Sequence, residues 1–129
     1  HHIPFDYRHV HPSSQTEEEG ARIMNDILKE EDPPTAIFCA NDCTALGVLR
    51  SLNKCRRKNY LPSVIAIDNI RKSAKTSPML TTIDIPKQEL AHFALLLLLD
   101  QQKKAHKECV RIELPCRLIE RESCTYAPC

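Results

Sequence analysis

The stretch that most constrains this chain is Pro33-Pro34-Thr35-Ala36-Ile37-Phe38-Cys39-Ala40-Asn41-Asp42, with the run Cys43 to Leu52 behind it. Ala36 to Ala40 is short and uniformly apolar, which suits a strand buried on both faces, as in a parallel sheet. Asn41-Asp42 ends that run abruptly. Ala45, Leu46, Val48, Leu49 and Leu52 then recur at helical spacing. The two polar residues therefore stand at a strand-to-helix switch, at the carboxyl end of a buried strand. Open α/β sheets bind ligands at such ends. Read by itself, Asp42 is a helix cap.

Ser63 to Ile67 repeats this grammar. It reads Ser-Val-Ile-Ala-Ile and closes on Asp68-Asn69. Two buried strands that each end in an Asn/Asp pair are harder to read as two caps. If they lie together in one sheet, both pairs open onto the same crevice.

The rest of the chain supplies the elements between. Ile3, Phe5, Tyr7 and Val10 alternate as in a strand over residues 3–10. His9-x-His11 would place two imidazoles on one side of an extended segment. No third ligand at a motif spacing joins them, so they read as surface residues and no metal is expected. Ser14 or Thr16 can cap a helix whose first turn carries Glu17, Glu18 and Glu19, favourable at the positive end of the helix dipole. Ala21, Ile23, Met24, Ile27 and Leu28 form its apolar stripe, and Pro33-Pro34 stops it. The basic cluster Lys54-Cys55-Arg56-Arg57-Lys58-Asn59 lacks interleaved aromatics and reads as a solvated turn. Thr82 to Pro86 is extended, and Lys87 to Lys104 is the longest helix candidate. Leu90, Phe93, Ala94 and Leu97 make one stripe, but Leu95, Leu96, Leu98 and Leu99 carry it around the cylinder. Such a helix needs contacts on several sides. Cys109 to Leu114 alternates as a strand, and Arg117 to Arg121 continues in the same style.

Composition narrows the function classes. The 129 residues make one domain or a piece of one, and a net charge of +1 gives no global field toward nucleic acid or membrane. No apolar run is long enough for a membrane span, and no signal-peptide pattern opens the chain. His1-His2 resembles a tag remnant. Two glycines leave no phosphate-cradling loop, so no nucleotide cofactor is expected. Seven cysteines, an odd number without metal-binding spacing, fit thiols in a reducing, cytoplasmic setting. Cys124 and Cys129 are expected to be the exposed ones.

Pro33 to Leu52, Ile65 to Ile70, Ser77 to Ile83, Ile85-Pro86-Lys87 and Leu114 to Ser123 together resemble the effector domain of the LacI/GalR family of bacterial transcription regulators. The resemblance runs from about Gly20 to Ser123. It implies an α/β fold with a mostly parallel, doubly wound sheet, the C-terminal portion of a periplasmic-binding-protein-like domain. Residues 1–80 would form the second subdomain, 81–108 the crossover segment and helix, and 109–129 the C-terminal strands. In the family two subdomains close over a small molecule, usually a sugar or nucleobase, and the crossover helix packs on the first subdomain. That would account for the over-apolar helix after Pro86. A homodimer is implied, through the Cys43–Leu52 helix and the Ile70–Met79 loop, and operator DNA is bound only through a headpiece that these residues do not contain.

The family's effector contacts fall on Asn41 and Asp68. The aromatic residue that many members carry five positions before Gly20 is replaced by Gln15, which points to hydrogen bonding rather than stacking. Asp42 is expected to cap. The link from Pro62 to Asp68 is shorter than usual by about three residues, and Ala66 stands where glycine is common. Two other classes compete with an effector-sensing module. One is an α/β enzyme using Asp68 or Cys39, against which no nucleophile–base pair occurs at a known spacing. The other is a periplasmic sugar-binding protein, against which stand the missing signal peptide and the unpaired seventh cysteine.

Overall fold

The computed structural model describes residues 5–55, 60–103 and 108–125. His1-His2, most of the basic cluster (Arg56 to Asn59), Lys104 and Cys129 lie outside them.

Helix α1 (Glu17–Ile27) starts at Thr16, whose hydroxyl accepts from the Glu19 amide at 3.2 Å. Strand β1 (Ala36–Phe38) follows the two prolines, and helix α2 (Asp42–Lys54) follows β1. Strand β2 is Ser63–Ile67 and β3 is Thr81–Asp84. Helix α3 (Lys87–Gln102) leads to the last strand, β4 (Arg117–Ile119). The strands lie in the order β1-β2-β3-β4. The first three are parallel and β4 is antiparallel to β3, with Ile83 opposite Leu118. The mostly parallel α/β sheet is as the sequence implies.

The core lies between the sheet and the α1/α2 pair. Ile23, Met24 and Ile27 of α1 meet Ala45, Val48 and Leu49 of α2 and Val64 and Ala66 of β2. The chain's two glycines set how close the helices come. A Cβ on Gly20 would lie 2.1 Å from the Thr44 carbonyl oxygen, and one on Gly47 would lie 1.9 Å from that of Glu17. Each helix therefore offers its glycine to the other's backbone, and the crossing is too close for any side chain there.

Three expectations are corrected. Ala36 to Ala40 is not buried on both faces: Ile37 and Cys39 turn toward the helices, while Phe38 on the opposite side is 63% exposed. Residues 3–10 were expected as a strand, but Tyr7–His9 is a 3-10 turn with Phe5, Tyr7 and Val10 exposed. Asp6 closes this turn by accepting from the Arg8 amide at 2.9 Å and pairing with its guanidinium. Cys109 to Leu114 forms no strand either, and Val110 and Ile112 are exposed. Alternation encodes a strand only where a neighbouring edge exists to pair with, and among the described residues neither segment pairs with one.

No residue of α3 is buried, and Leu90, Leu95, Leu96, Leu98 and Leu99 are all exposed. Among the described residues nothing supplies the surface that this helix was expected to need. The cysteine reading also changes. Cys43, Cys109 and Cys116 are exposed, whereas Cys124 is half-buried with its thiol 3.3 Å from the Val64 carbonyl. The reason is Ser123, which is wedged between the starts of β2 and β3. Its hydroxyl donates to the Val64 carbonyl at 2.6 Å and accepts from the Thr81 amide at 2.8 Å, so it draws Cys124 in behind it.

Candidate functional site

β1 and β2 are parallel neighbours, so their carboxyl ends open on the same edge. The register pairs Phe38 with Ile65. Asn41 and Asp68, each three residues beyond that pair, both follow the carboxyl ends of these strands. Residues separated by 27 positions thus lie on one edge of the sheet because two parallel neighbouring strands lead into them.

The capping role expected of Asp42 falls to Asn41. Asn41 is the cap of α2, its side-chain oxygen accepting from the Thr44 amide at 2.8 Å. Asp42 is fully buried and does not cap. Its carboxylate accepts from the Thr82 hydroxyl at 2.6 Å and from the Ile70 amide at 2.8 Å, which ties the start of α2 to β3 and to the loop after β2. Both residue types cap well, so local sequence could not separate them. What decides is Thr82, forty positions away.

The Asn41 amide still has donors to spend. It donates to the Gln15 backbone carbonyl at 3.2 Å and lies 3.5 Å from the Gln15 side-chain oxygen. Gln15 has φ 63°, in the left-handed region that favours glycine. The Ser13 hydroxyl, accepting from the Gln15 amide at 3.0 Å, helps to hold it there. Gln15 and Asn41 are therefore brought together, as the site reading requires.

Asp68 and Asn69 form a second left-handed turn, at φ 122° and 50°. Strain of this kind persists only when neighbours over-determine it, and it gathers at functional sites. Here the neighbours are numerous. The Asp68 amide donates to the Ile83 carbonyl at 2.9 Å, and Lys87 Nζ donates to the Asp68 carbonyl. The Asn69 side chain donates to the Asp84 carboxylate at 3.0 Å and accepts from Arg121 Nη2 at 2.7 Å. Arg121 Nη1 donates to the Leu80 carbonyl at 2.7 Å and to the Ser73 hydroxyl at 3.2 Å. Amid this network the Asp68 carboxylate has no hydrogen bond or ion pair to any described residue. Sequence reasoning placed Asn69 at the strand end without giving it a role, and missed Arg121. Asn69 carried a usable signal, since asparagine tolerates φ > 0. Arg121 carried none, because its partner lies 52 positions away.

Beside β1 runs a groove of about 390 Å³, lined among others by Val10, Ile23, Ile27, Ile37 and Phe38. Gln15 reaches it, but Asn41 and Asp68 do not line it. Thr44 lies along it with its buried hydroxyl unpaired among the described residues. Cys39 also lines the groove, and burial, reinforced by the negative charge of Asp42, pushes its thiol up to about 12. A thiol held neutral in this way is a poor nucleophile. No group of three or more His, Cys, Asp or Glu among the described residues could hold a metal ion.

Residues 1–124 match the family model described as periplasmic binding protein-like domain. The chain belongs to this family, in its LacI-type branch. It is 38% identical over 112 residues to the HTH-type transcriptional repressor PurR of Photorhabdus laumondii, covering 86% of this chain and 33% of that protein. The chain thus spans about a third of the length of such relatives. Among solved structures, a LacI family transcriptional regulator from Enterococcus faecalis V583 with bound ribose superposes with a TM-score of 0.74 at 34% identity. That match covers 86% of this chain and 41% of the other. A transcriptional regulator CelR–cellobiose complex superposes with a TM-score of 0.83 at 26% identity, covering 94% of this chain and 37% of the other.

Proposed function

We propose that this chain is the C-terminal part of the effector-sensing domain of a cytoplasmic transcription regulator, and that its strand-end rim binds a small sugar-like molecule. The observation that carries this reading is the Asp68 carboxylate, unpartnered among the described residues. It follows β2 on the same sheet edge on which Asn41 follows β1, on a turn tied down by Ile83, Asp84, Lys87 and Arg121. An ionised carboxylate accepts hydrogen bonds from adjacent hydroxyls, while the amides of Asn41 and Gln15 both donate and accept. Ribose and cellobiose in the related structures support a polyol as the ligand class. The rim is open, so it acts as half of a cleft whose other half comes from a first subdomain. Closure over the ligand shifts the balance between two subdomain arrangements and thereby the affinity for operator DNA at a separate headpiece. The regulator works as a homodimer.

An enzymatic reading is disfavoured by the neutral, buried Cys39 thiol. The test is isothermal titration of the full-length protein with D-ribose, cellobiose and hypoxanthine, followed by operator mobility shifts with any binder. Saturable binding of a sugar that changes operator affinity supports the proposal. Binding of hypoxanthine alone moves the ligand class to nucleobases, and turnover of any of the three overturns the sensing role.

A further inference from the structure

The network around Asp68 has a shape that a mere turn does not need. Four separate pieces of chain converge on residues 68–70: Asp42 at the start of α2, Thr82 and Asp84 on β3, Lys87 at the start of α3, and Arg121 just past β4. Yet only two left-handed residues are being held. Arg121 is the member that makes the most contacts. Its guanidinium spans Asn69, the Leu80 carbonyl and Ser73, and its own amide donates to the Thr81 hydroxyl at 2.9 Å. The planar guanidinium presents several donors in a fixed fork, so one side chain can fix three acceptors along the β2–β3 connection at once.

We propose that Arg121 and Asn69 are positioning residues for effector binding. Arg121 fixes the Asn69 side chain, Asn69 bridges to Asp84, and the pair holds the left-handed turn that presents the Asp68 carboxylate. This rests on the reading of Asp68 as the ligand-gripping residue. Arg121 touches no ligand. Its effect passes through the backbone geometry of Asp68, and because Asp84 and Lys87 begin the segment that leads into α3, the same contacts link the ligand turn to the crossover.

The experiment uses the full-length protein with Arg121→Gln, Asp68→Ala and the double variant, with Arg121→Lys as a second probe of the fork should the glutamine variant fold poorly. Hydrogen exchange is followed in the segment spanning Asp68 to Ile70 and in α1 and α2, and D-ribose affinity is measured by calorimetry. The expected result for Arg121→Gln is exchange at least about tenfold faster at Asp68–Ile70 with α1 and α2 unchanged, and about tenfold weaker ribose binding. On the Asp68→Ala background the Arg121 substitution costs no further affinity, because its route to the ligand is already cut. Arg121→Lys, with one point donor in place of a fork, falls on the same side as Arg121→Gln. Faster exchange spread equally over the core, or an affinity loss that adds in full to that of Asp68→Ala, overturns the proposal and makes Arg121 a general structural residue. Unchanged exchange at Asp68–Ile70 in both Arg121 variants overturns it whether or not ribose binds. If Asp68→Ala itself binds ribose as well as wild type, the failure lies in the ligand reading of Asp68, and the exchange measurement still decides whether Arg121 holds the turn.

Discussion

Glu17 shows how a single side chain in this fold joins elements and makes stability depend on pH. One carboxylate oxygen accepts from Arg50 of α2 at 2.9 Å and the other from Lys72 of the β2–β3 connection at 2.6 Å. The Lys72 hydrogen bond is the main cause holding its pKa below the ordinary 4.5, against desolvation, which pushes it up. A depressed folded pKa means stability that is fully present above the unfolded value and lost as pH falls through the folded one. Melting temperature should therefore drop less steeply for Glu17→Gln than for wild type between about pH 6 and about pH 3, and the two proteins should converge at the acid end. The pair is partly exposed, so the difference near neutral pH should be about 1 kcal/mol or less. Asp42 is a different case, because its carboxylate is buried. Asp42→Ala strands the Ile70 amide and the Thr82 hydroxyl and should cost about 3 kcal/mol in urea unfolding. That Asp42 mattered was legible in the sequence, but its role was not. A residue's type and neighbours announce a cap, whereas a buried acceptor for Thr82 exists only once β3 is laid beside β2.

Among the elements, the α1/α2 crossing is the most tightly specified. Gly20→Ala must push the Thr44 backbone away or tilt a helix, and should lower stability by about 2 kcal/mol or more, read as a lower urea midpoint with an unchanged slope. Ser123→Ala removes both a donor and an acceptor from the junction of β2 and β3 and should cost about 1–3 kcal/mol in the same measurement. The apolar runs that became β1, α2 and β2 were legible because burial against one another is written into their residue types. The alternating segments at residues 3–10 and 109–114 were misread because alternation states only which side would face inward. It does not supply a partner strand. The site followed the same division. Asn41 and Asp68 could be placed at strand ends from pattern alone, but the left-handed turns at Gln15 and Asp68 depend on contacts from Asn41 and Arg121 that no local window contains.

At the scale of the whole molecule, the unmatched surface is the leading feature. Helix α3 exposes leucines on several sides, and Phe38 stands out from the sheet. Apolar exposure of that extent is unusual on an isolated monomer. Most of α2 is buried against α1 and the sheet, leaving Cys43, Arg50, Asn53 and Lys54 as its outward residues. That narrows the surface this helix can offer to a second copy. The 129-residue chain alone should self-associate through α3, and light scattering at rising concentration should report species larger than a monomer; a clean monomer throughout would contradict this. The central claim, however, is that the strand-end rim grips an effector through Asp68. Losing hydrogen bonds to a charged group costs about 1.5–3 kcal/mol, which is about ten- to a hundredfold in affinity. The most direct measurement is calorimetry of the full-length Asp68→Ala variant against the sugar that the wild-type protein binds. A loss of that size is expected, with operator affinity in the absence of sugar little changed, and wild-type sugar affinity in the variant would contradict a gripping role for Asp68.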